Sequence, residues 1–312
     1  MKKKDVLEFY LNYEEYICSL HYELKQEIYR HSNYSSFYVC DPKQRHINKA
    51  KVKDRLLHQA VINILEPIFD KRFIYDSYSS RVGKGTHKAM DRFNYFAWKL
   101  SANNTKTVWV LKCDIRKFFD SIDQIILERI VQKYIKNTKV RNLLHIVFDS
   151  FHKDTRKGLP LGNLTSQLFS NVFMNEFDQF MKHNLQVKYY IRYADDFVVL
   201  SQDKMYLENI LLKLEVFLNQ ELKIYLHPNK VSISTWHSGV DFLGFVHFPL
   251  YKLIRTKTKK RAFVKFNIRV IQYKNNIIDK ESFNQTKASY LSLFKHGRNK
   301  SLIKKLNLIS KS

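Results

Sequence analysis

The sequence is poor in glycine, proline and cysteine. Its 312 residues include 7 glycines, 5 prolines and 3 cysteines. So few Gly and Pro residues exclude collagen-like, low-complexity and linker-rich architectures. Three cysteines in a chain of this length provide neither a disulfide framework nor a spaced zinc quartet. We therefore expect a folded protein of a reducing compartment, the cytoplasm.

Long apolar runs are also missing. The longest uncharged stretch, residues 158–175, is interrupted throughout by Asn, Gln, Ser and Thr, and so is too polar to span a bilayer. The N-terminal run of lysines is followed by Asp5 and Glu8 rather than by an apolar segment, which argues against a secretory signal. We therefore expect no membrane association.

Acidic residues are scarce relative to basic ones. The chain has 54 Lys and Arg against 29 Asp and Glu, a formal net charge of +25, while 45% of its residues are hydrophobic. This surplus favours a polyanionic partner, nucleic acid before an anionic membrane; the alternative is a merely basic cytosolic protein. It is concentrated in residues 251–312, which contain 17 Lys and Arg but only two acids. Because apolar residues alternate with these cations, we interpret the segment as a folded basic module; a solvated helical face would normally mix both signs.

Apolar periodicity outlines the secondary structure. Helices are predicted over residues 5–30, 51–69, 86–101, 164–182 and 207–220. A buried strand is predicted over residues 105–115, two short strands within 187–201, and a set of short strands over 223–248.

Three carboxylates stand where a carboxylate is unfavourable. Asp114 ends a hydrophobic strand, and Asp195 and Asp196 separate two apolar strands. Neighbouring acids repel each other and lose hydration there, so a cation must compensate. Magnesium takes hard oxygen ligands, and two such ions about 4 Å apart stabilise an in-line phosphoryl displacement. The alternative is that the Asp pair forms an ordinary β-turn; the flanking strands and Asp114 favour the metal site.

These residues resemble a known family. Tyr193-Ala194-Asp195-Asp196 matches the Y-x-D-D signature of reverse transcriptases, and residues 114–123 (DIRKFFDSID) resemble their first catalytic motif. Four further segments follow in family order: the fingers segment at 72–85, the motif before the palm helix at 158–167 (GLPLGNLTSQ), and the two motifs after the hairpin at 226–230 (LHPNK) and 242–245 (FLGF). The resemblance covers roughly residues 45–250.

The resemblance implies an α+β right-hand polymerase. Such a polymerase has fingers, a palm with an antiparallel sheet and ferredoxin-like core, and a helical thumb. We assign these three parts to successive segments of the chain. The expected boundaries are an N-terminal helical extension at 1–44, fingers at 45–105, palm at 106–250 with a fingers insertion around 125–165, and a basic thumb at 251–312.

One motif narrows the subfamily. Residues 160–162 (PLG) and Ser166-Gln167 replace the Pro-Gln-Gly and Ser-Pro typical of retroviral and group II intron enzymes. This pattern resembles the reverse transcriptases of diversity-generating retroelements, which copy a template-repeat RNA with frequent errors opposite adenine for mutagenic retrohoming. We expect no RNase H, maturase or endonuclease module. The alternatives are an antiphage-defence or retron-like reverse transcriptase, or a non-catalytic nucleic-acid-binding protein of polymerase fold.

The resemblance also assigns roles to residues. Asp114, Asp195 and Asp196 are expected to be catalytic and, with the Ile115 carbonyl, to bind two Mg²⁺ ions, or Mn²⁺ in their place. The expected nucleotide-binding residues are Arg81, Ile115, Phe119, Leu161, Gly162, Gln167 and Lys230.

Three of these roles have competing interpretations. Phe119 is expected to be a steric gate against the ribose 2′-hydroxyl, or else a core residue. Leu161 is hypothesised to lower fidelity because it cannot hydrogen-bond as the usual Gln does, or else it only packs. Lys230 is expected to protonate pyrophosphate, or else to be a surface lysine. Asp120 and Asp123 resemble helix-start residues more than ligands.

The expected partners follow from the same resemblance. They are template RNA, a DNA or RNA primer, deoxynucleoside triphosphates and a small basic helical accessory oligomer. The expected location is the cytoplasm, for a protein encoded by a bacterium or a phage.

Overall fold

A computed structural model describes residues 4–40, 43–151 and 155–309. The chain divides into two compact units. The first unit comprises Met1–Gly85, Lys112–Val198 and Asn209–Val231, and the second comprises Thr86–Leu111, Val199–Glu208 and Ser232–Ser312.

The elements are numbered in chain order. The helices are α1 (Lys4–Leu11), α2 (Tyr13–Lys25), α3 (Val52–Asp70), α4 (Thr86–Leu100), α5 (Phe118–Ser121), α6 (Gln124–Tyr134), α7 (Thr138–Asp149), α8 (Leu164–Gln179), α9 (Lys204–Gln220), α10 (Thr256–Lys274), α11 (Lys280–Lys295) and α12 (Lys300–Ile309). A π-helical turn, Phe180–Asn184, extends α8, and a 3₁₀ turn spans Trp236–Ser238. The strands are β1 (Ser35–Val39), β2 (Arg45–Lys49), β3 (Trp109–Asp114), β4 (Tyr190–Tyr193), β5 (Asp196–Ser201), β6 (Ser232–Thr235), β7 (Val240–Phe242), β8 (Phe245–His247) and β9 (Lys252–Ile254).

The strands form three sheets. Their orders are β1-β2, β4-β5-β3-β6 and β7-β8-β9, and β1-β2, β7-β8 and β8-β9 pair antiparallel. The mixture of helices with antiparallel sheets confirms the predicted α+β class.

The core of the first unit surrounds α8. Twelve of its 16 residues are buried, among them Phe169, Phe173 and Phe177, and the helix packs on α3 and α6. A helix that is buried on nearly every side lies at the centre of a packed layer. Asp123 caps α6, since its carboxylate accepts the N–H groups of Ile125 and Ile126; this confirms its predicted place at a helix start.

The second unit has its own core. Phe266, Phe283, Phe294 and Leu306 bring α10, α11 and α12 together around it. The basic segment after residue 250 is therefore a packed helical bundle in its described part. No helix among residues 4–40, 43–151 and 155–309 is long and apolar enough to cross a membrane.

The N-terminal helix prediction was wrong in its extent. Residues 5–30 form two helices, because Asn12 leaves the helical conformation (φ −123°, ψ 31°). The second helix ends at Lys25: Glu27 takes a left-handed conformation (φ 58°), and the Ile28 N–H returns to the Glu23 carbonyl oxygen at 2.9 Å. Such a closure satisfies the last carbonyls of a helix and stops it.

The remaining predicted helices and strands occur with shifted ends. The strand predicted from residue 105 begins at Trp109, because the Thr105 and Lys106 N–H groups bond the Ser101 carbonyl oxygen in a turn after α4. The β1-β2 hairpin was not predicted from the sequence. All five residues of β1 are exposed, so no apolar alternation marks the strand.

Candidate active site

Three aspartates lie at one end of the four-stranded sheet. Asp114 ends β3 and is buried, with 7% of its surface exposed. Asp195 and Asp196 lie at the turn from β4 to β5, where Ala194 adopts a left-handed conformation (φ 55°). The Ile115 N–H donates to the Asp195 carbonyl oxygen at 3.3 Å, which joins the strand end to the turn.

The raised pKa values of Asp195 and Asp196 indicate that a cation would stabilise these carboxylates. Burial raises the pKa of Asp196 to about 6; Lys112 opposes the shift, and the charges of Asp195 and Asp114 add to it. The pKa of Asp195 is also raised, first by burial and further by Asp114. Carboxylates that are costly to ionise together are typical of sites where an opposite charge binds.

Lys230 supplies one cation to this cluster. Its Nζ donates to Asp114 Oδ1 at 2.6 Å. The backbone of residues 225–230 holds it there: the Arg116 N–H donates to the Tyr225 carbonyl oxygen at 2.9 Å, and the His227 N–H donates to the Asp114 carbonyl oxygen at 2.7 Å. The structure thus brings Lys230 to the carboxylates rather than leaving it as an isolated surface lysine.

The donor set fits a divalent cation. Within the described residues, no group of three or more His, Cys, Asp or Glu side chains converges closely enough to hold a metal ion. The three carboxylates nevertheless offer hard oxygen donors, and two of them have a raised pKa that a cation would reverse. A cation binding Asp114 would compete with the Lys230 ammonium.

The loop before α8 is fastened to β2. The Asn163 Nδ2 donates to the Asn48 carbonyl oxygen at 2.7 Å, and the Asn48 N–H donates to the Leu161 carbonyl oxygen at 3.1 Å. Leu161 is half-buried and Gly162 is exposed with φ 106°. A Cβ at Gly162 would lie 2.9 Å from Ile47 Cγ2, so the close approach of β2 requires glycine here.

The same loop also contacts the first catalytic motif. The Leu159 N–H donates to the Phe119 carbonyl oxygen at 2.8 Å. Phe119 itself is half-buried, and its ring meets Phe118 edge-to-face at 5.4 Å. Gln167 is exposed in the first turn of α8.

Arg81 is held inside its own segment. Its side chain is only 7% exposed, and it donates to Asp70 Oδ1 at 2.6 Å and to the carbonyl oxygens of Ile74 and Ser77 at 2.8 and 2.9 Å. These bonds close residues 70–81 into a loop. The guanidinium group is occupied by protein acceptors, so the geometry lends no support to its predicted contact with a triphosphate.

Arg45 is a further candidate, and no sequence motif indicated it. It lies exposed on β2, and its charge lowers the pKa of Asp195 against the larger effect of burial. Strand β2 is polar and was not predicted, and the position of Arg45 depends on how β2 docks on the loop before α8. The sequence alone therefore does not place Arg45 near the carboxylates.

The fold is α+β, and a hairpin with paired aspartates lies beside a third aspartate at a strand end. This combination is typical of right-hand polymerases. Residues 40–247 match the reverse transcriptase (RNA-dependent DNA polymerase) family, and the chain belongs to this family. The predicted resemblance is confirmed at this level.

Individual relatives are distant. Protein YkfC of Escherichia coli (strain K12) is 26% identical over 255 residues, which is 70% of this chain and 65% of that protein. The group II intron-encoded protein LtrA of Lactococcus lactis subsp. cremoris is 23% identical over 304 residues, 74% of this chain and 49% of that protein. The chain spans about half to two thirds of the length of these relatives.

Solved structures show the same fold at low identity. Apo telomerase from Candida tropicalis superposes with a TM-score of 0.58 at 13% identity, over 78% of this chain and 53% of that one. Telomerase from Candida albicans, in complex with a TWJ fragment of telomeric RNA, gives 0.54 at 12% identity, over 82% and 54%.

Proposed function

We propose that this protein is an RNA-directed DNA polymerase that extends a DNA or RNA primer on an RNA template by nucleotidyl transfer from deoxynucleoside triphosphates. The observation that carries the proposal is the placement of Asp114, Asp195 and Asp196 at one end of the four-stranded sheet, with raised pKa values on the last two. Family membership and the RNA bound to one structural neighbour support an RNA template.

Asp114, Asp195 and Asp196, with the Ile115 carbonyl oxygen, are proposed to hold two Mg²⁺ ions, or Mn²⁺ in their place. When bound, these ions stabilise charge on the attacking and leaving oxygens of the transfer. Asp114 would hold such an ion in place of its present ion pair with Lys230. Lys230 is proposed to donate a proton to the departing pyrophosphate from this position.

The residues around the carboxylates are proposed to bind the nucleotide. Arg45 contacts the triphosphate, because its guanidinium group is exposed and lies near Asp195. Gly162 allows close approach of the backbone, and Phe119 acts as the gate against a ribose 2′-hydroxyl. Gln167 contacts the nucleotide from the first turn of α8.

The test is primer extension by Asp195→Asn. The substitution removes a charge from the cluster, so we expect loss of extension by about a thousandfold or more, with a melting temperature equal to or above that of the wild type. Asp120→Asn is the matched control, since Asp120 is an exposed acid of the same motif, and it should keep activity within about twofold. Wild-type extension by Asp195→Asn would refute the assignment.

Within the family, we infer the diversity-generating retroelement type. The support is Pro160-Leu161-Gly162 and Ser166-Gln167, which present an apolar Leu161 where an amide is usual. Loss of a polar constraint worth about 1 kcal/mol loosens discrimination several-fold, which fits copying with errors at adenines.

The retroelement type has a genomic test. A near-repeat pair beside the gene, differing at adenines, together with a gene for a small basic helical oligomer would support mutagenic retrohoming of a cDNA. Their absence in every genome that carries this gene would contradict it. Cytoplasmic location belongs to the same proposal.

A further inference from the structure

A buried ion pair lies directly behind the proposed catalytic turn. Arg192 of β4 and Asp178 of α8 are both fully buried. Arg192 Nη2 donates to Asp178 Oδ2 at 2.6 Å and Nε donates to Asp178 Oδ1 at 2.8 Å. Two charges are costly to remove from water, and an apolar pair of similar volume is often as stable. Stability alone therefore does not explain why charges occupy this place.

The other guanidinium N–H groups reach three separate segments. Arg192 Nη1 donates to Asn171 Oδ1 on α8 and to the Ala194 carbonyl oxygen in the turn, each at 3.2 Å. Arg192 Nη2 also donates to Ser77 Oγ at 3.1 Å. One planar side chain thus joins the turn to α8 and to residues 76–79, a geometry that a guanidinium group offers and an ammonium does not.

The backbone reinforces the same junction. The Arg192 N–H donates to the Asp76 carbonyl oxygen, and the Tyr78 N–H donates to the Arg192 carbonyl oxygen, each at 3.0 Å. Asn171 Nδ2 donates to the Ser79 carbonyl oxygen at 2.8 Å. A movement of residues 76–79 would therefore displace β4 immediately before Asp195 and Asp196.

The turn itself needs such support. Ala194 has φ 55°, a left-handed conformation that residues with a Cβ seldom adopt unless their surroundings impose it. Its carbonyl oxygen is the one that Arg192 binds. We infer that Arg192, held by Asp178, is a positioning residue: it sets the conformation of the turn that carries Asp195 and Asp196 and couples that turn to residues 76–79. The kinetic part of this inference rests on the proposed polymerase function.

The experiment compares two conservative changes in the same buried network. Arg192→Lys keeps the charge opposite Asp178, but its single nitrogen cannot serve Asn171, Ala194 and Ser77 together. Tyr190→Phe is the control: the buried Tyr190 hydroxyl donates to Asp178 Oδ1 at 2.7 Å, and its removal leaves the Arg192 bonds to Asn171, Ala194 and Ser77 in place. Primer extension is measured as kcat and as KM for the nucleotide, beside thermal unfolding and hydrogen exchange of peptides covering residues 74–80 and 190–198.

For Arg192→Lys we expect kcat to fall at least about tenfold with KM changed less than twofold, because chemistry rather than nucleotide binding depends on the turn. Exchange should rise in both peptides together. Tyr190→Phe should lower the melting temperature while kcat stays within twofold. Equal kcat losses in the two variants at equal loss of stability, or unchanged exchange at residues 190–198 in Arg192→Lys, would overturn the inference.

Ser77→Ala provides a second route if Arg192→Lys does not fold. It removes one hydroxyl from the junction and leaves the ion pair intact. We expect a several-fold lower kcat and faster exchange at residues 190–198; wild-type values for both would overturn the inference. An inactive wild-type protein would instead contradict the proposed function, and the exchange measurement would still decide the role of Arg192.

Discussion

Two arginines of the same chemistry have opposite environments. The Arg81 side chain is 7% exposed and bonded to Asp70 and two carbonyl oxygens, whereas Arg45 is exposed and acts electrostatically on Asp195. A guanidinium group that already donates to protein acceptors stabilises the fold, and one that is exposed within electrostatic range of the carboxylates is available to an anionic ligand.

The first prediction separates these roles. Arg45→Ala should raise KM for the nucleotide about tenfold, the loss of about 1.4 kcal/mol of binding, with an unchanged melting temperature. Arg81→Ala should lower the melting temperature, because it leaves Asp70 and the Ile74 and Ser77 carbonyl oxygens without their donor. Steady-state kinetics and thermal unfolding of both variants provide the measurement. The reverse pattern would return the triphosphate role to Arg81.

The sequence was sufficient to place the three carboxylates but not these arginines. An apolar strand before Asp114, and apolar strands on both sides of Asp195-Asp196, leave few alternatives to a strand end and a turn, where the structure has them. The direction of an arginine side chain depends instead on tertiary contacts. Asp70 turns Arg81 inward, and the docking of Asn48 on the loop before α8 brings β2 toward the site.

At the scale of elements, α3 carries a buried polar cluster that no proposed reaction step uses. Asp54 and His58 are buried on this helix. The Tyr29 hydroxyl donates to Asp54 Oδ1 at 2.7 Å, and the Nε2 atoms of His31 and His58 lie 3.2 Å apart. The cluster fixes the segment after α2 against α3, so its protonation affects how that segment is held.

The second prediction concerns stability against pH. Burial, and then the charge of His31, lower the pKa of His58 to about 4. Between pH 6.5 and 4 the unfolded chain therefore binds a proton that folded His58 does not bind, and stability present above pH 6.5 is lost as the pH falls. At about 1.4 kcal/mol per pKa unit, we expect His58 to contribute about 2 to 3 kcal/mol to the loss between pH 7.5 and 4.5.

Urea unfolding of His58→Gln at both pH values measures this contribution. The variant should lose less stability on acidification than the wild type, whatever its stability at pH 7.5. His21→Gln, a change at an exposed histidine of α2, should follow the wild type. An unaltered pH dependence in His58→Gln would show that other groups carry the acid sensitivity.

Elements with an apolar face were predictable, and those without one were not. Helix α3 occurs close to its predicted position because its buried residues follow the helical period, and strands β4 and β5 do so because each is a short, continuously buried run beside the Asp pair. Strand β1 is exposed along its whole length, and the ends of α1 and α2 depend on backbone geometry at Asn12 and Glu27. Such features reflect pairing and capping, which periodicity does not encode.

At the scale of the whole molecule, the fold is retained with little identity. Telomerase chains at 12–13% identity superpose with TM-scores of 0.54 and 0.58. What such chains have to share is the order of apolar and polar elements, since many sequences of that pattern pack to the same layers. Surface charge can vary without changing this order of elements. In this chain, residues 251–312 contain 17 Lys and Arg against two acids.

The third prediction follows from this distribution. If the basic segment holds an RNA–DNA duplex through about six phosphate contacts, affinity should fall about a thousandfold between 50 and 200 mM salt. Replacing the exposed Lys257 and Lys260 of α10 by Gln should reduce the slope of log affinity against log salt by about 0.7 to 0.9 for each lost contact. Lys136→Gln with Lys213→Gln changes the net charge equally at exposed positions of the first unit and should leave the slope unchanged. Fluorescence anisotropy over a salt series measures the slope for both double variants. Equal effects would show that the total charge of +25 attracts the duplex and that residues 251–312 do not hold it specifically.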